Sequence, residues 1–201
     1  MDIKKIYLDT NVFYNFLLKE VDEGFKKSEH VDQKCKTNKI AFKIESDIST
    51  VIPIREKNLV YCVKIKKDSR IDKLLKIKRE NCVVYYSSSM VMAEIFRKLQ
   101  KEKNFPVRKI AYLWGGLDHI LGLKIIENNN VDLKHLTVLS MNFPLKKNVQ
   151  DLLHIILAKK NKCLFVTCDD LDGNMDDIKK HYYKDIMKFN DFSDKYIRKK
   201  E

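Results

Sequence analysis

Four acidic residues stand where an acid is out of keeping with its neighbours. Asp9 ends an apolar run in IYLDTNVFYNFL, Glu94 lies within SSSMVMAEIFRKL, Asp151 opens the apolar segment VQDLLHIILA, and Asp169 closes CLFVTCDD. Taken singly, each has an ordinary explanation. Asp151 suits the first turn of a helix, where the helix dipole favours negative charge. Asp169 suits the N-cap after a strand, and Glu94 the exposed side of an amphipathic helix. Taken together, at four element ends, they suit another role. Carboxylates gathered in one place repel, and cost stability unless cations neutralise them. Oxygen-only ligands match Mg²⁺ or Mn²⁺, hard cations that keep waters of their own and bind phosphate oxygens.

Whether the four acids can meet depends on the elements that carry them. IKKIYL, residues 3–8, reads as a short buried strand, and the segment after it spaces Val12, Phe13, Phe16, Leu17 and Val21 as a helix does. Residues 40–66 change period. AFKIESD, STVIPIRE and NLVYCVKIKK are rich in β-branched and aromatic residues, with REKN as a turn, so a small antiparallel β element is expected. SRIDKLLKIKREN reads as a basic helix capped by Ser69. CVVYYS is a strand. The helix SSMVMAEIFRKLQKEKN, capped by Ser88 or Ser89, follows it, and then a helix with Pro106 at its start. KIIENN and LTVLSM fit either short strands or helix pieces. KKNVQDLLHIILAKKNK is an amphipathic helix with Val149, Leu152, Leu153, Ile156 and Leu157 along one face. CLFVT is a strand, and IMKFNDFSDKYI closes the chain as a strand and a short helix.

That alternation predicts a three-layer α/β/α fold with a central, mainly parallel sheet, interrupted by a small β-rich insertion. Residues 1–20 and 69–201 form the main domain in this reading, and residues 21–68 the basic insertion. In an open parallel sheet, ligands bind beyond the carboxyl ends of the strands. Asp9 and Asp169 therefore face one crevice if their strands are neighbours.

The bulk composition narrows the partners. A chain of 201 residues with 44% apolar content suffices for one buried domain and a small addition. Its net charge is +12, and residues 26–80 carry +8 of that excess. An uneven positive charge favours a polyanionic partner on an appended surface, although a Lys-rich, Gly-poor composition is also a general habit of some proteomes. The five cysteines are odd in number and include no C-x-x-C pair, so neither a disulfide framework nor a zinc site is expected. No apolar window is long enough to span a membrane, and the first apolar stretch lacks a leader's small-residue cleavage site. A soluble, cytoplasmic protein is expected.

The ordered set of segments resembles the four motif regions of PIN-domain nucleases. These are a first strand ending in Asp9-Thr10-Asn11; Ser88 and Ser89 followed by Glu94 on a helix; a helix carrying Asp151, His154 and Ala158; and a strand closing as Thr167-Cys168-Asp169. The resemblance covers the chain except about residues 21–80. It departs from the compact members of the family in two ways. Eighty-five positions separate Asp9 from Glu94, and the last motif reads T-C-D-D where Asn often precedes the acid, leaving Asp170 and Asp172 as lower-ranked alternatives to Asp169.

The resemblance implies a metal-dependent endoribonuclease, either a VapC-type toxin with an antitoxin partner and a homodimeric state, or an RNA-processing enzyme. Asp9, Asp151 and Asp169 are expected to hold Mg²⁺ or Mn²⁺, with Glu94 acting through water. Thr10, Asn11 and Thr167 would support the carboxylates or contact phosphate. His154, one helical turn from Asp151, is expected to pack or to support a neighbour. Lys64, Lys66, Lys67, Arg70, Lys73, Lys76, Lys78 and Arg79 are candidates to track an RNA backbone. Tyr61 is a candidate base platform, whereas Tyr85, Tyr86 and Trp114 fit a core or, for Trp114, a dimer interface. A non-catalytic RNA-binding module and a structure-specific DNA nuclease stay open as alternatives.

Overall fold

The first strand, β1 (Lys4–Leu8), enters with Lys4 and Lys5 exposed and then buries Ile6, Tyr7 and Leu8 completely. A computed structural model describes residues 4–14, 17, 48–56, 59–127, 133–142, 149–171 and 173–197. Four further strands, β4 (Val83–Ser88), β5 (Lys124–Ile126), β6 (Leu164–Thr167) and β7 (Ile186–Lys188), join β1 in one sheet of order β5-β4-β1-β6-β7. Every pairing in it is parallel. Helices flank the sheet in a three-layer α/β/α arrangement, and strands covered on both faces become the apolar runs seen in the sequence. From β1 the chain builds outward to β4 and β5. It then returns to the other side of β1 with β6, so β1 and β6 flank the point where strand order reverses. Their carboxyl ends open the crevice in which such folds place ligands.

Helix α1 begins at Thr10, where residues 10–14 and 17 are helical; Val12, Phe13 and Leu17 are fully buried. Phe13 meets Trp114 edge to face, with centroids 5.5 Å apart, so Trp114 belongs to the core. Helix α2 (Arg70–Glu80) is capped as its sequence predicts, Ser69 Oγ accepting from Asp72 N. Ser69→Ala should lower stability by about 1 kcal/mol, the usual worth of an N-cap side chain, as read from a urea denaturation midpoint at unchanged slope. Helix α3 (Ser89–Lys103) takes Ser88 as its cap through Val91 N. Helix α4 (Val107–Leu121) is preceded by Pro106 and ends at Gly122, where φ is +57°. A Cβ at Gly122 would lie 2.8 Å from Lys78 Nζ, which donates to the last helical carbonyl at Leu121.

The two ambiguous segments resolve differently: KIIENN supplies β5, and LTVLSM lies in helix α5 (Leu133–Asn142). Helix α6 (Val149–Lys160) corrects the single-face reading. Leu152, His154, Ile155, Ile156, Leu157 and Ala158 are all buried, whereas Val149 is 53% exposed. The cause is tertiary, since α6 lies between β6 and α5 and is covered on more than one side. Helix α7 (Met175–His181), which the sequence reading missed, joins β6 to β7, and helix α8 (Phe189–Tyr196) ends the described chain.

The expected antiparallel element is a hairpin of β2 (Ile48–Glu56) and β3 (Leu59–Lys66), in one register from Glu56 opposite Leu59 to Thr50 opposite Ile65, with a shift before Ile48 opposite Lys66. It touches the main body through α2 and α4, and Ile65 at the end of β3 is fully buried in the core. The strand expected at AFKIESD, the centre of the REKN turn, the later turns of the first helix, Asp172, and the side chains of Tyr61 and Lys64 lie outside the described residues.

Candidate active site

Asp9 leaves β1 where the ladder to β6 ends, its N–H donating to Val166 O at 3.0 Å. Its side chain is 2% exposed. Oδ1 accepts from Thr10 N and Oδ2 from the Thr167 hydroxyl, each at 2.7 Å. Thr167 Oγ1 also accepts from Asp169 N at 3.0 Å, so one hydroxyl joins the ends of β1 and β6 and fixes both acids. Asp169 Oδ1 accepts from Asp170 N, and Oδ2 lies 3.5 Å from Asn11 Nδ2. Glu94 is buried rather than exposed on α3; Oε2 accepts from the Thr10 hydroxyl at 2.7 Å, and Oε1 pairs with Lys98 at 2.8 Å. Asp151, in the first turn of α6, is half-buried and feels the charges of the other three acids. Four elements thus bring Asp9, Glu94, Asp151 and Asp169 to one crevice, with Thr10 and Thr167 holding the carboxylates.

The electrostatics separate the four. Burial, above all, pushes Asp9 above the usual carboxylate range, partly offset by His154, Thr167 and Thr10. Burial opposes ionisation of Glu94 too, but His154, Lys98 and Thr10 outweigh it and hold the carboxyl down at about 2. His154 Nε2 stands 3.7 Å from Glu94 Oε2, too far for a formed hydrogen bond, so its part in that shift is an attraction across a gap. Asp151 is raised to about 7 by burial, then by the negative charges of Asp9, Asp169 and Glu94. Two of four clustered acids resist ionising, which marks a site short of positive charge. Hard oxygen donors with that deficit fit Mg²⁺ or Mn²⁺ by charge and donor type. Among the described residues no three His, Cys, Asp or Glu side chains are drawn around a single point as a metal's ligands are, so the fit does not extend to geometry.

The remaining expectations divide. Asp170 is exposed. Cys168 is half-buried, and burial pushes its thiol up to about 11, against the pull of Arg70, which disfavours a nucleophilic thiolate. Tyr85 is fully buried and donates to Leu74 O, and Tyr86 packs against the core. Of the basic candidates, Arg70 reaches the rim, its Nη1 donating to Asn11 O at 2.9 Å and its guanidinium 5.9 Å from the Phe189 ring. Lys76 pairs with Asp68 and Asp72, each at 3.0 Å, and Lys78 caps α4. Lys67 and Arg79 are exposed, while Lys66 and Lys73 are half-buried.

Two neighbours of the acids escaped the sequence reading, although spacing could have found them. Lys98 is four residues after Glu94 on a helix, where side chains meet. Tyr7 is two residues before Asp9 on a strand and so shares its face. No protein-family model matches the chain, and comparison with curated proteins finds no match. Among the described residues, no helix is long and apolar enough to cross a membrane.

Proposed function

We propose that this chain is a metal-dependent endoribonuclease that cleaves phosphodiester bonds with an activated water. The observation that carries the reading is the convergence of four carboxylates, from four separate elements, on the crevice where strand order reverses, with too little positive charge of their own. It agrees with the resemblance of the ordered motifs to PIN-domain nucleases. A Mg²⁺ or Mn²⁺ ion held by Asp9, Asp151 and Asp169 would supply phosphate polarisation and a bound water of lowered pKa.

The chain's own residues do the rest. Thr10 and Thr167 fix Asp9 in one orientation. Glu94, fully ionised at neutral pH, orients the water as an acceptor. Arg70, at the rim, is placed to meet a phosphate that would otherwise be repelled by the acids. Residence in the cytoplasm, pairing with an antitoxin and a homodimeric state go with the toxin form of this reading. A short neighbouring reading frame for an antitoxin would favour that form over RNA processing.

The test is cleavage of mixed RNA, single-stranded DNA and branched DNA with Mn²⁺, comparing wild type with Asp151→Asn. RNA cleavage lost in the variant supports the proposal. Preference for branched DNA would replace it with a structure-specific DNA nuclease, and RNA binding without cleavage would leave a binding module.

The basic surface makes a separate prediction. Changing Lys67, Lys73 and Arg79 to Gln should weaken RNA binding and reduce the slope of log K against log salt by roughly 1 for each phosphate no longer neutralised. Lys76→Gln and Lys78→Gln should instead act on stability, because both ammonium groups are engaged within the fold. An unchanged slope in the triple variant, measured by fluorescence anisotropy across a salt series, would remove RNA from this face. Excising residues 26–66 is a poorer test, because it takes Ile65 out of the core.

A further inference from the structure

Behind the carboxylates lies a buried polar chain that the proposed cleavage does not use. The Tyr7 hydroxyl, fully buried on β1, stands 2.8 Å from Ser88 Oγ and 2.8 Å from His154 Nδ1. His154 is 1% exposed, and its other nitrogen, Nε2, is buried with no hydrogen-bond partner among the described residues. That nitrogen points at the crevice, 3.7 Å from Glu94 Oε2 and 4.0 Å from Asp9 Oδ1.

A buried, unpaired polar nitrogen costs free energy and calls for an explanation. Proton order supplies one. If Ser88 donates to Tyr7, Tyr7 donates to Nδ1 and the neutral ring carries its proton on Nε2. If the ring donates from Nδ1, Tyr7 donates to Ser88, and a bare Nε2 would set a lone pair against two carboxylate oxygens. That arrangement is repulsive, so the site favours the first order, with the hydrogen on Nε2.

We propose that Tyr7 and His154 are positioning residues of the carboxylate site: Tyr7 fixes the imidazole from behind, so that Nε2–H is offered jointly to Asp9 and Glu94. The gap to a formed hydrogen bond is under roughly 1 Å on either side. Either carboxylate can close it by a small movement, and the shared donor holds the two acids aimed at the crevice against their mutual repulsion. The role in catalysis rests on the nuclease reading; the hydrogen-bond arrangement does not.

The experiment uses the full chain with ¹⁵N-labelled histidine. A long-range ¹H–¹⁵N spectrum of the metal-free wild type should show His154 protonated at Nε2; a bare Nε2 overturns the proposal. Tyr7→Phe, which keeps the ring and removes only the hydroxyl, should change that signature. It should also weaken Mn²⁺ binding by calorimetry about tenfold, as loss of a ligand's supporting partner does, and lower kcat more than it raises KM. Wild-type Mn²⁺ affinity in Tyr7→Phe overturns it. If that variant does not fold, His154→Gln, which keeps a donor, should bind Mn²⁺ more tightly than His154→Leu, and equal affinities overturn the proposal. A wild type that cleaves nothing defeats the nuclease reading, while the spectrum and the Mn²⁺ titration still decide this one.

Discussion

Asp9→Asn should abolish Mn²⁺-dependent RNA cleavage, by at least roughly 10³-fold, while leaving the metal-free protein folded and firmer than wild type. The activity loss follows from charge. A carboxylate that holds a catalytic dication supports several kcal/mol of transition-state stabilisation, and each 1.4 kcal/mol or so is tenfold in rate. The gain in firmness follows from burial. Asp9 is withdrawn from water beside three other acids, and burial is the first cause that raises its pKa. Asparagine keeps the shape and removes the charge. Its amide oxygen can still accept from Thr10 N. Its NH₂ can donate to Thr167 Oγ1, whose second lone pair is available beside the bond from Asp169 N. Single-turnover cleavage and thermal melting of the same preparation check both halves. Activity within tenfold of wild type would remove Asp9 from the proposed chemistry. A lower melting temperature would show that its charge is compensated within the protein.

The features legible in the sequence are those set by local rules. Ser69 followed by Asp72 announces a cap and a helix start. IYL before Asp9 and LFVT before Asp169 are continuous apolar runs of the kind a doubly covered parallel sheet requires. Because the acids sit just past those runs, their placement in one crevice needed only that β1 and β6 be neighbours, which they are. The features not legible are set by what lies across space. Helix α6 reads as amphipathic, but β6 and α5 cover more of it than one stripe accounts for. Lys76 and Lys78 read as free cations, yet one is held by Asp68 and Asp72 and the other by a carbonyl 43 positions away. His154 reads as a residue that packs or supports a neighbour, and it is buried. What spacing could not show is that the Tyr7 hydroxyl lies on one side of its ring and the Asp9 and Glu94 carboxylates on the other. Helix α7 was missed because its apolar signal is two residues, Met175 and Ile178, in a strongly charged turn.

The second large effect concerns pH and metal together. Asp151 is raised from an ordinary 3.8 to about 7 in the fold. A carboxyl raised on folding contributes stability that is full below its unfolded pKa and is lost as pH climbs through its folded value. Asp9 is shifted the same way. Glu94, held down at about 2, works in the opposite sense, and its contribution is lost only as pH falls below the ordinary carboxylate range. Between pH 5 and pH 8, Glu94 is therefore silent while Asp151 and Asp9 both weaken the metal-free protein. The loss over that range should be about 1–2 kcal/mol, discounted for the partial exposure of Asp151, or several degrees in Tm for a chain of this size. Mn²⁺ should reverse the trend, because it competes with protons for the same oxygens and binds more tightly as they leave. At one hundred times its Kd it adds about 2.7 kcal/mol, so the holoprotein should melt higher at pH 8 than the metal-free form by more than it does at pH 5. Asp151→Asn should reduce the metal-free slope, leaving the part that Asp9 contributes, and shrink the Mn²⁺ shift with it. Melting curves at pH 5, 6.5 and 8, with and without Mn²⁺, measure all of this at once. Metal-free stability that rises from pH 5 to pH 8 would mean that the crevice already balances its own charge and has no place for a dication, and a slope left unchanged in Asp151→Asn would remove Asp151 as its source.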